Sequence, residues 1–320
     1  MGDVLAGIHA TWEFDTDSVL IRFERGIRTP KLLQNLRERR IPHAALSSVT
    51  LTPGKRDTVV LRVVPRPGAD PLLEAAAGQL KEGCDPYRLV LPADRELLAE
   101  YYADELRSRL GPASDEPADR FLVAAPEAPM QFKAYDGRAA FDGERISFRW
   151  FWTGASSAKW KAGDQTYRVS ELAGIEWRSP EGLDGYLRLV PRTAVPADHR
   201  TGGSLGDLHG PVSPGLEAAG TAVDGALVTV NRAPADQDPA AVLFGLGYGP
   251  VHESLPFAAA VLESVRSTQS APAVPVLVNA GRRDPADIAE RIHHLGELHQ
   301  AGLVTDDEYS AKKAQLLAEL

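Results

Sequence analysis

Along its first third the chain alternates apolar and polar residues with a period of two. "IHATWEF" at Ile8–Phe14 follows this pattern, a turn lies at Asp15–Ser18, and "VLIRF" resumes it, which predicts a β-hairpin. "SVTLTPG" and "TVVLRVVP" are β-branched runs divided by the turn residues Pro53 and Gly54. "YRLVLP" is one more short apolar run. The period then changes. Asp94 can cap a helix in which Leu98, Tyr102 and Leu106 recur every four residues, predicting a stripe that faces the core.

The same succession returns further along. "FDTDSVLIRF" from Phe14 matches "FDGERISFRW" from Phe141, "ALSSVTL" from Ala45 matches "ELAGIEW" from Glu171, and "LRVVPRPGADP" from Leu61 matches "LRLVPRTAVPAD" from Leu187. The order is kept and the spacing is nearly constant, so the chain carries a duplication. A Gly/Pro-rich insertion at residues 193–222 accounts for the greater length of the second copy. Its strands are predicted at "GRAAFDG", "RISFRWFW", "TYRVSEL", "GIEWR", "YLRLVPR", "ALVTVN" and "AVLFGLGY", and its closing helix at Glu253–Arg266 with Phe257, Val261 and Val265 inward. Leu61, Val63, Leu187 and Leu189 share one strand face, and Pro65 and Pro191 end their strands because proline cannot donate to a ladder.

The predicted fold class is α+β and mainly β: two tandem, partly open barrels, each closed by a helix. The first occupies residues 1–111 and the second 131–267, with connectors at 112–130 and 268–283. Residues 284–320 read differently, as a helical hairpin. Asp284 caps the first helix and Pro285 opens it, Gly302 ends it, and Thr305 with Glu308 forms a capping box for the second. The apolar residues Ile288, Ile292, Leu295, Leu298, Leu303, Val304, Tyr309, Leu316 and Leu317 are too few to sustain a core of their own. This hairpin is expected to self-associate or dock on another protein.

Charge narrows the function classes. The net charge of −9 argues against nucleic acid as a partner, because phosphate neutralisation needs a basic surface. Residues 1–111 hold 16 basic and 16 acidic side chains, so the acidity lies behind them. Within that neutral copy, "RFERGIRTPKLLQNLRERR" gathers Arg22, Arg25, Arg28, Lys31, Arg37, Arg39 and Arg40 against only Glu24 and Glu38. The run is either a solvated loop or a surface for anions such as lipid headgroups. The second copy has only Lys159, Lys161 and Arg168 in the equivalent region. "FRWFW" at Phe148–Trp152, with Trp160 and Trp177, is either cross-strand packing or an exposed aromatic platform.

No catalytic, cofactor or metal constellation is expected. "GLGYG" at Gly245–Gly249 opens no strand–turn–helix nucleotide unit, and "GGSLGDLHG" lies in the insertion and reads as a loop. His293, His294 and His299 lack a recognisable ligand set. The single cysteine, Cys84, excludes an intrachain disulfide. The N-terminus has no basic region ahead of an apolar run, and no window is long enough to span a bilayer, so a cytoplasmic location is expected, with the inner membrane face as an option.

The pattern Leu295, Leu298, Gly302, Leu303, Val304, Thr305, Glu308, Tyr309, Lys313, Leu316 and Leu317 resembles the short C-terminal (SHOCT) domain, departing from it only at Tyr309, where phenylalanine is commoner. "WEFDTDSVLIRF", "RRIPHAALSSVTL" and "LRVVPRPGADP", with their counterparts in the second copy, resemble the actinobacterial DUF4429 family, often found in tandem ahead of such a tail. That resemblance implies pleckstrin-homology-like domains with no known catalytic activity, and the tail's implies oligomerisation or partner contacts. The combined expectation is a non-enzymatic interaction or scaffold protein. The alternative is a peripheral protein bound to anionic lipid through the first copy.

Overall fold

The computed structural model describes residues 3–182, 184–192 and 233–270. The first copy runs β1 (Asp3–Ala6), β2 (Ala10–Phe14), β3 (Ser18–Phe23), α1 (Lys31–Leu36), β4 (Glu38–Pro42), β5 (Leu46–Pro53), β6 (Thr58–Pro65), α2 (Pro71–Ala76), β7 (Arg88–Pro92) and α3 (Glu96–Ser108). The second runs β8 (Met130–Lys133), β9 (Gly137–Phe141), β10 (Arg145–Trp150), α4 (Ser157–Ala162), β11 (Gln165–Arg168), β12 (Leu172–Arg178), β13 (Tyr186–Pro191), β14 (Ala241–Leu243) and α5 (Val251–Ser270). Each copy makes an antiparallel meander of four strands, then one of three, then a helix. The mainly β, α+β class is as expected; the sheets are open, so each copy is a pair of open antiparallel meanders rather than a barrel.

Even the irregularities repeat. A bulge between Leu46 and Ser48 on β5 recurs between Leu172 and Gly174 on β12. Pro65 and Pro191 end β6 and β13, and Leu61, Val63, Leu187 and Leu189 are all buried, as the alternation requires.

The closing helices differ. In α3 the buried residues are Ala99, Tyr102, Ala103 and Leu106, and Tyr102 stacks on Phe14 at 4.2 Å. Leu98, expected in the core stripe, is 42% exposed instead, because a step of about 100° per residue puts Ala99 on the inner face. In α5 the predicted Phe257, Val261 and Val265 are buried, and Ala258, Ala259 and Ala260 are buried too. The second core includes Leu32, Leu72, Ala75 and Ala76 from α1 and α2 of the first copy, so α5 is packed from both copies.

Pro256 sits inside α5 and has no N–H for the carbonyl of His252 four residues earlier. The Asn35 side-chain amide, from α1, donates to that carbonyl instead. Arg266 adds a second tie, donating to the Gly68 carbonyl and pairing with Glu74. The connector at 112–130 also packs: Val123 is buried, and the amides of Leu122 and Val123 donate to the Ala69 carbonyl.

Several expectations lie outside the described residues: the strand "ALVTVN", the insertion at 193–222, and the hairpin with Ile288, Ile292, Leu295, Leu298, Leu303, Val304, Tyr309, Leu316 and Leu317. No helix among the described residues is long and apolar enough to cross a membrane.

Candidate functional site

The basic run of the first copy and the aromatic run of the second occupy one structural position, as the sequence match of "FDTDSVLIRF" with "FDGERISFRW" implies. Each is the connection from the third strand through a short helix to the fourth: β3–α1–β4 in the first copy and β10–α4–β11 in the second. The same backbone bonds hold both. The Glu24 amide donates to the His9 carbonyl at 2.9 Å and the Phe151 amide to the Asp136 carbonyl at 2.9 Å. The Ile8 amide donates to the Val90 carbonyl at 2.8 Å and the Tyr135 amide to the Leu243 carbonyl at 2.9 Å. The scaffold is shared and the side chains on it have diverged.

In the first copy the seven basic residues separate into groups. Arg39 belongs to no surface. It lies on β4 beside buried Ile41, is 6% exposed, and pairs with Asp70 at 2.6 Å. Tyr87 donates to the other Asp70 oxygen at 2.7 Å, and Asp70 also caps α2 by accepting from the Leu72 amide. Burial pushes the Tyr87 hydroxyl well above its ordinary range, so it stays a donor to that carboxylate. Arg39 is thus a structural ion pair, removed from the anion-binding set by the alternation of β4. Arg22 pairs with Glu13 and Glu38, and Arg40 with Asp15. Arg37 is an exposed residue ending α1 with a positive φ of 61°. Arg25, Arg28 and Lys31 are exposed, and among the described residues they have no acidic partner. Between them Ile27 projects fully into solvent.

In the second copy the connection carries rings. Phe148 and Trp150 end inside, as does Trp177, whereas Trp152 is 81% exposed and Trp160 57%. Strand alternation predicts Trp152 on the face of Trp150. It escapes because β10 ends at Trp150 and the chain turns there, with the Gly154 and Ala155 amides donating to the Phe151 carbonyl. Gly154 is required at this turn, since a Cβ would meet the Tyr135 carbonyl at 2.5 Å.

Beneath the rings lies an ion pair that sequence reasoning missed. Lys159 Nζ donates to Asp136 Oδ2 at 2.5 Å, and both side chains are fully buried. Asp136 Oδ1 accepts from the Leu243 amide at 2.8 Å, and Lys159 lies over the Trp150 ring at 5.0 Å. Burial raises the affinity of Asp136 for its proton and lowers that of Lys159, each against the other's charge. Through its carbonyl and two oxygens, Asp136 ties together the Phe151 turn, α4 and β14. Those segments and the Tyr135 turn carry the rings of a cleft of about 540 Å³, lined by Lys133, Tyr135, Trp150, Phe151, Trp152, Trp160 and Tyr248 among others. Lys133 Nζ stands 5.4 Å from the Phe151 ring and 5.1 Å from that of Tyr248. The one advance signal for Lys159 was its place in the region of the second copy equivalent to the first copy's basic run.

"GLGYG" forms a tight turn between β14 and α5 that lines a cleft together with residues of the first copy. Gly247 and Gly249 have positive φ, and a Cβ on Gly249 would lie 2.2 Å from the Phe244 ring, so this turn depends on glycine. Leu246 at its tip is fully exposed. A second cleft of about 460 Å³ is lined by Pro30, Lys31 and Leu32 of the first copy together with Leu246 and Tyr248. Tyr248 lines both clefts, so Lys31 of the first connection and the aromatic side chains of the second border neighbouring hollows.

A family model, "Domain of unknown function (DUF4429)", matches residues 12–107 and 139–262. The chain belongs to the DUF4429 family. The matched segments begin at equivalent points of β2 and β9 and end in α3 and α5, so the tandem family unit is the structural repeat. No curated protein matches this DUF4429 chain.

Proposed function

We propose that this tandem DUF4429 chain is a non-enzymatic interaction or scaffold protein. Its two repeats act as pleckstrin-homology-like modules that present the connection between third and fourth strands as a recognition surface. The observation that carries this reading is the divergence of solvent-facing side chains at one position of a shared backbone. The SHOCT-like hairpin supplies association, either with a second copy or with a partner, through Ile288, Ile292, Leu295, Leu298, Leu303, Val304, Tyr309, Leu316 and Leu317. Light scattering of full-length protein beside its Leu295→Asp/Leu316→Asp variant tests this. A larger mass for the parent is expected, and equal monomeric masses would remove the self-association half.

A second reading is favoured by Ile27. An exposed isoleucine among unpaired Arg25, Arg28 and Lys31 is suited to an anionic membrane surface, where each basic side chain contributes about 1 kcal/mol. Co-sedimentation with acidic vesicles at low and at physiological salt checks it. Binding that is strongest at low salt and lost in Arg25→Glu/Arg28→Glu is expected.

A further inference from the structure

We infer that the aromatic cleft and Leu246 turn of the second copy complete a membrane-docking face whose basic half is the first copy's Arg25–Lys31 loop. The inference rests on the lipid reading and extends it to residues of the other repeat. Its starting point is the set of apolar side chains that the fold leaves outside. Ile27 and Leu246 are fully exposed on turns, and Trp152, Trp160, Tyr135 and Tyr248 project from the adjoining cleft. Leu246 and Tyr248 line the second cleft together with Pro30 and Lys31, the end of the loop that begins at Arg25.

Isolated exposed apolar residues are ordinary, but a contiguous patch rimmed by cations marks an interaction surface. Arg25, Arg28, Lys31, Lys133 and Lys161 are exposed and have no acidic partner among the described residues. The acidic groups along these segments are Glu24, beside Arg25; Asp164, which follows α4 and lies 3.9 Å from Arg149; Glu181, paired with Lys81 at 2.9 Å; and Glu253, beside His252. The unpaired excess is positive on a chain of net charge −9, and it complements an anionic leaflet.

The residue types suit the bilayer boundary. Tryptophan and tyrosine favour the headgroup level, where rings are buried and polar tips stay wet. The indole N–H groups of Trp152 and Trp160 have no acceptor among the described residues, so both are free for headgroup or glycerol oxygens. Lys133, with its ammonium near the Phe151 and Tyr248 rings, is placed to extend toward phosphate. Ile27 and Leu246 would enter the acyl region. The buried Asp136–Lys159 pair holds the aromatic half in shape before any membrane is met.

The test uses the full chain and vesicles of phosphatidylcholine with or without phosphatidylserine. Leu246→Asp and Trp152→Ser replace side chains that are almost entirely exposed, so both variants should fold like the parent. Each is expected to weaken partitioning onto the acidic vesicles roughly ten- to a hundredfold, as removing the burial of one large apolar side chain predicts. The parent offers a second readout. Of its five tryptophans, Trp12, Trp150 and Trp177 are buried, so quenching by lipids brominated in the acyl chain reports Trp152 and Trp160.

Quenching of the bound parent, lost in Trp152→Phe/Trp160→Phe, supports the inference. Binding that depends on Arg25 and Arg28 with no quenching, and no effect of Leu246→Asp, overturns it and leaves the basic-loop reading standing. Absence of parent binding at low salt overturns both. Occupation of the cleft by a peptide without vesicle binding also overturns both.

Discussion

Replacing Lys159 with methionine tests the account of the aromatic cleft most directly. In the parent, an ammonium and a carboxylate meet at 2.5 Å with neither exposed, and the carboxylate's second oxygen holds the Leu243 amide. Methionine keeps most of the packing against Trp150 but leaves Asp136 buried without its cation. Breaking such a pair costs about 3–5 kcal/mol, most of it the penalty of the charge left behind. At about 2–4 °C per kcal/mol for a unit of this size, the melting temperature should fall by roughly 6–20 °C. The loss should depend on pH with a fixed sign. Burial already raises the folded-state pKa of Asp136, and removing Lys159 takes away the main opposing influence. A carboxyl whose folded pKa lies above its unfolded one is tolerated while protonated, and it destabilises progressively as pH rises from the unfolded to the folded pKa. The gap between variant and parent should therefore be smallest in acid and widen toward neutral pH. Circular dichroism melts at about pH 4.5 and about pH 7.5 span the rise from the ordinary carboxylate range. Asp136→Asn/Lys159→Met, in which the amide oxygen can still accept from Leu243, should regain most of the loss. A Lys159→Met protein that melts with the parent, or falls short equally at both pH values, would refute the reasoning.

Other substitutions separate structural from surface roles. Arg39→Met should cost about 3–5 kcal/mol by stranding Asp70, whereas Arg28→Ala should change stability by less than about 0.5 kcal/mol; urea unfolding compares them. Asn35→Ala should cost about 0.5–1.5 kcal/mol, because Pro256 leaves the His252 carbonyl with no helical donor and water only partly replaces the amide, and Asn35→Asp, which also lacks the amide N–H, should not restore it. Gly249→Ala should destabilise through the Phe244 ring 2.2 Å away, and should alter tryptophan emission if the turn carrying Tyr248 moves.

The duplication, the long strands, the proline stops and the second closing helix could all be read from the sequence, because they rest on local periodicity. The short helices could not. α1, α2 and α4 are six residues each, too short to show a helical repeat, and tertiary contacts such as those of Leu32 and Leu72 with the second core hold them. β4 was hidden by its composition, since "ERRIP" reads as charge. Its burial nevertheless alternates, and pairing Arg39 with Ile41 on one face was the available signal that one arginine points inward. Lys159 offered no such cue. Its partner lies 23 residues earlier in the hairpin turn between β8 and β9, and only the folded chain joins them.

The divergence of the two connections has a mechanical setting. α5 is gripped by its own sheet and by α1 and α2 of the other repeat, with the Asn35 and Arg266 bonds closing the seam. The first connection therefore cannot reorient without disturbing a core that both repeats share, and the second is held by the buried Asp136–Lys159 pair. On the membrane-docking reading, a basic loop and an aromatic cleft held in this way would act as one surface. The entropic cost of bringing them together has already been met in folding, so two weak contacts can add in a single binding event. Duplication supplied two equivalent positions, and substitution of Glu24 by Phe151, Arg25 by Trp152 and Ile8 by Tyr135 between equivalent sites gave them different chemistry on the same backbone.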